Sequence, residues 1–462
     1  MLDPELPTTS EPALSPWDGH RRMLASAAIW GSVTLLAKFV AFGKDWLVAQ
    51  RFGAGDELDA FLVALLIPTY AVAVLSHSFA SGFLPTYLRL WQRAGQAAAG
   101  RLVGSALAAA IVLMIAAVVL LTVLSPWLLP LLGEGFDSAK LALAQSLFFV
   151  LAGMVAITGV SAVLAAVLNA HERFTITAWA PLAVPLGTIA VFWPLEGPHA
   201  IEALAWGTLL GYGLEAAVLA VGAYRRGLLP VPRWQGLDED LRHVAAQYLP
   251  IALGAVLMSS SILIDQSMAA SLGSGNVSVL NFGNKIPALL LSIVAISLST
   301  VLFPRFARLI MARQWNELER MIQLYATVIL LGSVPLLVLL AFFSEPLVGL
   351  LFQRGAFTAE ITHAVARVQI GYLPQVPFAV LVMIGYRLLS ALDSNRTVLA
   401  IGVLNLLMNV GGNLILMHWF GVRGIALSTS LMYFVAALAT YTTIRYKLAQ
   451  AKVQAADTIA PG

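Results

Sequence analysis

The stretch LVGSALAAAIVLMIAAVVLLTVLSPWLLPLL, residues 102–132, contains no charged side chain. A helix rises about 1.5 Å per residue and a hydrocarbon core is about 30 Å thick, so about twenty such residues suffice to cross it. The segment therefore reads as a transmembrane helix. Comparable runs recur from end to end, with cores near 24–48, 58–84, 102–132, 142–168, 174–195, 201–223, 244–272, 279–303, 322–343, 364–389, 397–419 and 424–446. The first is interrupted by Gly43-Lys44-Asp45 and is expected to end near there. Composition agrees: of 462 residues, 59% are hydrophobic and 11% charged, against about 25% charged in an ordinary soluble domain. Ten-residue alternating strands are missing, which excludes an outer-membrane barrel. The sequence predicts an all-α polytopic membrane protein of about 12 transmembrane helices.

Lysine and arginine set the orientation, because cytoplasmic loops carry an excess of them. With the N-terminus inside, 19 of the 27 fall in inside loops and tails, and four (Arg51, Lys140, Arg354, Arg423) fall outside. The other four (Lys38, Lys44, Lys285, Arg367) lie in or at the ends of spans. The asymmetry predicts an even number of spans with both termini cytoplasmic. Residues 1–22, rich in Pro, Ser and Thr, read as a disordered tail, and 448–462 as a second tail. The longest polar connection, 225–243 (RRGLLPVPRWQGLDEDLRH), divides the chain into an N-lobe, 23–224, and a C-lobe, 244–447, of six spans each. The halves echo one another at an offset of about 220 residues. Phe83-Leu84-Pro85 with Arg89 matches Phe303-Pro304 with Arg308, Gly133-Glu134-Gly135-Phe136 matches Arg354-Gly355-Ala356-Phe357, and Leu168-Asn169 with Arg173 matches Leu389-Ser390 with Arg396. Six spans per half make the repeats parallel, related by an axis along the membrane normal.

The chain has no cysteine, which excludes a disulfide scaffold, a thiolate metal site and a cysteine nucleophile. Neither a Walker A sequence nor HExxH occurs, and the seven histidines are scattered, so no cofactor and no nucleotide-driven cycle are expected. His77 stands alone in the second span and reads as a packed hydrogen-bonder. The arginines of the inside loops suit orientation and contact with anionic lipid, not nucleic acid.

An ionisable side chain in hydrocarbon costs roughly 2.5–3.5 kcal/mol on insertion scales and usually faces the protein interior or a water-filled cavity. The first half offers Lys38, Lys44, Asp45 and Asp59. Lys38 and Asp45 are seven residues apart, close to two helical turns, so they share a face with Lys44 beside it. Asp265 sits deep in the seventh span and Lys285 early in the eighth. Lys44, Asp45 and Asp59 lie near span ends, where snorkelling is the alternative. Asp265 and Lys285 form a possible neutralising pair. The sharper reading is a central cavity between the lobes, cationic at Lys38, Lys44 and Lys285, where lysines act as point charges on an anionic headgroup. Asp265 and Asp393 are candidates for coupling transport to a cation of unknown identity.

Several segments bear a family resemblance. KFVAFGKDWLVAQRFGAGDELDAFLVALLIP (38–68) resembles the first-to-second-span signature of the MurJ/MviN family of lipid-linked oligosaccharide flippases. GFLPTYLRLWQ (82–92), LNAHERFTITAWAP (168–181), NFGNKIPALLLSIVAISLSTVLFPRFAR (281–308) and LFQRGAFT (351–358) match that family in the same order. The resemblance implies the two-lobe fold of the MOP superfamily, which also includes multidrug (MATE-like) exporters and polysaccharide-unit flippases. It implies substrate-binding roles for Lys38, Lys44 and Lys285, where the family carries arginines, and for Asp59, its acidic residue opening the second span. The family's arginine pair and glutamate in the second span have no counterpart in Tyr70–His77. Many members carry two further C-terminal spans that bind the lipid tail. With about twelve spans here, a tail groove is expected from the second lobe's own helices, near the eleventh and twelfth.

The expected protein is thus a flippase of the bacterial inner membrane that moves a polyprenyl-pyrophosphate-linked glycan by alternating access, pivoting about 225–243. The cargo is lipid II or a related exopolysaccharide precursor, and the partners are membrane lipids and glycan-synthesis enzymes. One charge crossing 100 mV is worth about 2.3 kcal/mol, so one coupled cation suffices to bias the cycle. The rivals are a drug exporter of the same fold, which would want net acid in the cavity, and a non-transporting scaffold of a glycan-synthesis complex.

Overall fold

The computed structural model describes residues 16–459 apart from 196, 198, 229–233, 235, 237, 238, 299–301 and 393. Among the described residues all regular structure is helical. The first half contains α1 (Pro16–Phe52), α2 (Asp56–Ala71), α3 (His77–Leu132), α4 (Ser138–Ala170), α5 (Phe174–Trp179), α6 (Ala183–Phe192) and α7 (Ala200–Tyr224). The second contains α8 (Glu239–Ala270), α9 (Asn276–Gly283), α10 (Lys285–Ser297), α11 (Phe303–Met311), α12 (Trp315–Phe342), α13 (Ser344–Phe352), α14 (Ala359–Tyr372), α15 (Gln375–Ala391), α16 (Asn395–Phe420) and α17 (Val422–Ile459). Among the described residues ten helical segments are long and apolar enough to cross a membrane, eleven when α14 and α15, bent by 40°, count as one span. Helix α1 covers the remaining apolar segment of the sequence.

Four boundaries differ from the sequence expectation, and each has a local cause. Helix α1 does not end at Gly43-Lys44-Asp45 but runs on to Phe52, because both charges find partners inside the protein. It begins at Pro16, inside the expected tail, where a proline fits the first helical turn. Spans two and three are joined without a loop: α3 runs through Arg89 and Arg93 and changes direction at Gly95, whose φ of 77° is left-handed. Helix α17 continues to Ile459, through most of the expected second tail. Proline marks the breaks elsewhere. Pro68, which has no N–H to donate, lies just before a π-helical turn at Val72–Ser76, and Pro374 stands at the α14–α15 bend.

Two ends of the molecule can be distinguished by charge. The basic end carries the α3 kink, the α4–α5 and α7–α8 connections, α11, and the last turns of α15 and α17. The far end carries the α1–α2, α3–α4, α8–α9 and α13–α14 turns. The largest core lies at the far end and is common to both halves, joining Ala49, Leu58 and Leu147 to Val277, Phe282 and Phe357. Toward the basic end the halves have separate cores. One is built around Phe83, Tyr87 and Leu164, the other around Phe306, Leu388 and Ile444. Helix α8, from the second half, reaches across to the first-half core. Its Val244 belongs to the first-half core, and Tyr248 Oη donates to the Leu75 carbonyl at 3.1 Å.

Close helix approach is built on small residues, as membrane interfaces demand. A Cβ on Gly211 of α7 would lie 2.5 Å from the Val184 carbonyl oxygen of α6, whereas one on Gly213 would meet nothing within 4 Å. Gly211→Val should force α6 and α7 apart, at about 1–3 kcal/mol for overpacking, and lower the thermal midpoint in detergent. Gly213→Ala should leave that midpoint unchanged or raise it.

Candidate functional site

Where the halves meet, α1 and α10 bring three of the intramembrane charges together. Lys285 Nζ lies 2.7 Å from Asp45 Oδ2, and Lys44 Nζ lies 3.1 Å from Asp45 Oδ1. The carboxylate is therefore shared by two ammonium groups from opposite halves, and the triad keeps one net positive charge. All three side chains remain partly accessible, at 29% for Lys44, 16% for Asp45 and 27% for Lys285. Lys38 is exposed and has no hydrogen-bond or ion-pair partner among the described residues. At 100° per residue it lies on the same stripe of α1 as Phe42, Asp45 and Ala49. Phe42 packs on Phe352 of the second half, its ring centroid 5.3 Å away, and Ala49 is buried in the shared core. Lys38 thus continues the inter-lobe face of α1 about 10 Å beyond Asp45, toward the end where the halves have separate cores.

Asp59 does something different. It is fully buried, and Lys140 Nζ of α4 donates to its Oδ2 at 3.1 Å. The Gly275 N–H donates to the same oxygen at 2.7 Å, and the Ser278 N–H and Oγ donate to Oδ1 at 2.8 and 2.6 Å. A first-half carboxylate thereby caps the N-terminus of α9 in the second half, a placement the helix dipole favours. Lys140, expected in an outside loop, is itself buried. It also pairs with Asp56 at 2.7 Å and lies over the Phe136 ring at 3.9 Å. The Ala356 N–H donating to the Gln50 carbonyl at 2.8 Å and Ser267 Oγ donating to the Leu131 carbonyl at 3.2 Å complete a latch across the far end.

Asp265 and Lys285 do not pair. Asp265 is buried on α8, where Oδ1 accepts from Asn409 Nδ2 at 2.9 Å and Asn413 Nδ2 at 2.7 Å, and Oδ2 accepts from Thr429 Oγ1 at 3.3 Å. The Oδ1 atoms of both asparagines are buried without a partner. Sequence reading missed these two amides, although their i, i+4 spacing in an apolar helix places them on one face. Asp393, His77's side chain and Gln235 lie outside what is described. An apolar groove of about 500 Å³ lies in the second half between α12, α15 and α17. It is not lined by α16, the eleventh span of the sequence, and takes no residue from α1, α2, α8 or α10, which meet across the halves.

The model of the family described as "Lipid II flippase MurJ" matches residues 48–460. The chain belongs to the lipid II flippase MurJ family. Curated relatives include a probable lipid II flippase MurJ of Helicobacter pylori strain 26695, 28% identical over 83% of this chain and 87% of the relative. Another, from Buchnera aphidicola of Acyrthosiphon pisum, is 24% identical over 91% of this chain and 83% of the relative. Among solved structures, a lipid II flippase MurJ in an inward closed conformation superposes with a TM-score of 0.79 at 19% identity, covering 92% of this chain and 90% of that one. An inward-facing MATE multidrug transporter of the MOP superfamily reaches 0.76 at 16% identity, covering 92% and 99%. The fold is therefore that of the MurJ and MATE transporters, as the sequence resemblance implied.

The latch can be opened by one substitution. Removing one partner of a buried, hydrogen-bonded charge costs about 3–5 kcal/mol. Val277, fully buried in the shared far-end core, offers a reporter, because the chain has no other thiol. Val277→Cys should resist a maleimide reagent in the parent background and react readily once Asp59→Ala is added.

Proposed function

We propose that this MurJ-family protein is a lipid-linked glycan flippase of the bacterial inner membrane, with both termini and the 225–243 connection cytoplasmic. The orientation rests on the 19-to-4 split of lysine and arginine. The observation that carries the function is the Lys44–Asp45–Lys285 triad with Lys38 on the same face. Among these four groups three are cationic and one anionic, which favours a pyrophosphate over a cationic drug. In the empty state Asp45 holds two of the lysines at the lobe interface. An entering pyrophosphate offers more charge than one carboxylate, so it takes over the ammonium groups of Lys44 and Lys285 while Lys38 supplies a third. Each contact strengthens as water leaves and the local dielectric falls. Lysine is a compact charge on a flexible stem, so this grip tolerates variation in the attached glycan better than an arginine fork would. The cargo is lipid II or a related polyprenyl-pyrophosphate glycan, including exopolysaccharide precursors. Glycan-synthesis enzymes would load it at the cytoplasmic face.

The cycle then follows from where the halves are joined. Cargo enters from the basic end, the halves close over it there, and the far end opens when the Asp59–Lys140–Ser278 contacts break. Asp265 is the proposed site of cation coupling. Rotating the Asn409 and Asn413 amides would turn their unpartnered Oδ1 atoms toward a cation held by the Asp265 carboxylate and the Thr429 hydroxyl, an all-oxygen set suited to a hard ion.

In vesicles, the parent protein should move lipid-linked glycan and leave cationic dyes in place. Lys38→Ala/Lys285→Ala should abolish movement at unchanged membrane expression, and Lys→Arg at the same sites should retain most of it. Normal glycan movement by the double alanine variant would remove the proposed site and favour a scaffold role. In the same assay Asp265→Asn should abolish any dependence of transport on a sodium or proton gradient.

A further inference from the structure

The groove between α12 and the rest of the second half stands apart from the proposed cargo path. Its walls come from α11, α12, α15 and α17 and are mainly aliphatic, with the aromatic side chains Phe306, Tyr325, Phe378, Phe434 and Tyr441 among them. Along α12 the lining runs from Ile322 to Leu330, and along α17 from Ile444 back to Phe434. At about 1.5 Å per residue these are depths of about 12–15 Å, roughly one leaflet of a hydrocarbon core about 30 Å thick. The volume of about 500 Å³ is that of a small-molecule site.

Its mouth is charged. Helix α11 (FPRFARLIM) is amphipathic, with Phe306 and Leu309 buried and Arg305 and Arg308 exposed. Arg313 and Arg320 are exposed beside it, and Arg387 lies over the Phe303 ring at 5.4 Å and is exposed as well. The nearby acids do not cancel these charges. Glu319 is bound by Arg445 and Lys452, leaving Glu317 as the exposed carboxylate of this turn. Between mouth and floor the groove offers an unused donor. Thr440 Oγ1 is buried and has no hydrogen-bond partner, and it lies four residues, about 6 Å, in from Ile444. A cationic rim, an unpaired hydroxyl about one helical turn in, and an apolar channel one leaflet deep form the ordered complement of a phosphate, an ester carbonyl and an acyl chain.

We propose that this groove binds an anionic glycerophospholipid from the leaflet at the basic end. One acyl chain lies between α12 and α15–α17, an ester carbonyl accepts from Thr440, and the phosphate sits among Arg305, Arg308 and their neighbours. The lipid fills the gap between α12 and the second-half core and fixes the helix against it. The site is separate from the path of the glycan lipid, because no helix of the lobe interface contributes to its wall.

Native mass spectrometry of the full chain, titrated in detergent with phosphatidylglycerol or phosphatidylcholine, reads the site directly. The parent should retain one phosphatidylglycerol at least tenfold more strongly than phosphatidylcholine. Arg305→Gln/Arg308→Gln, both at exposed positions, should erase most of that preference. Ala326→Trp, which fills the groove from α12, should lose both lipids. Equal retention of the two lipids by the parent, or phosphatidylglycerol retention unchanged in the arginine variant, would overturn the proposal. Stoichiometric displacement of phosphatidylglycerol by undecaprenyl pyrophosphate would overturn it too, by making the groove part of the cargo path. The readout is lipid retention, so it stands whether or not the chain proves to be a flippase.

Discussion

One buried carboxylate ties the two halves of this protein together. Asp59 satisfies both oxygens with Lys140 on one side and with the N-terminus of α9 on the other, and it does so with no exposure to solvent. An unpaired charge there would be prohibitive in a membrane protein, and the paired one is strong because the surrounding dielectric is low. The shared apolar core forms around that contact, and it fixes which end of the molecule is closed. The separate cores at the other end leave the inter-lobe face of α1, with Lys38, without a covering helix from the second half.

The same constraint explains where the remaining charges lie. A bilayer tolerates an ionisable side chain only where protein or water receives it. Lys44, Asp45 and Lys285 receive one another across the interface, and Asp265 is received by two amides and a hydroxyl within the second half. These clusters differ in character. The triad is partly accessible and carries excess positive charge. Asp265 is buried and held by neutral groups, two amide N–H donors and a hydroxyl. The latch, the triad and the Asp265 cluster are thus separated by burial and by the sign of their surroundings.

Much of this was legible in the sequence. Apolar run length gave the spans, and the lysine and arginine asymmetry distinguished the two ends. The seven-residue step from Lys38 to Asp45 placed the cationic face of α1. Partner choice was not legible, because it depends on contacts between residues far apart in the chain, such as 81 positions for Lys140 and Asp59 and 219 for Asp59 and Ser278. Nothing local says that Lys285 pairs with Asp45 and not with Asp265, or that Asp59 reaches Ser278. Lys140 sits three residues into a helix and reads as a loop charge until the Asp56 and Asp59 carboxylates are placed beside it. The end of α1 was misplaced for the same reason. A Gly-Lys-Asp sequence reads as a membrane border when its charges have no visible partner, and as helix interior once they do.

Alternating access between the two ends is the central claim, and spin-label distance measurements test it most directly. A far-end pair at Glu134 and Glu360 and a basic-end pair at Arg173 and Arg320 join the two halves at exposed positions. Each is introduced as two cysteines in a chain that otherwise has none. During turnover with lipid-linked glycan in vesicles, the far-end distance should lengthen while the basic-end distance shortens, with both distributions bimodal. Distances that stay fixed, or that lengthen together, would contradict the account and leave the halves as a rigid scaffold.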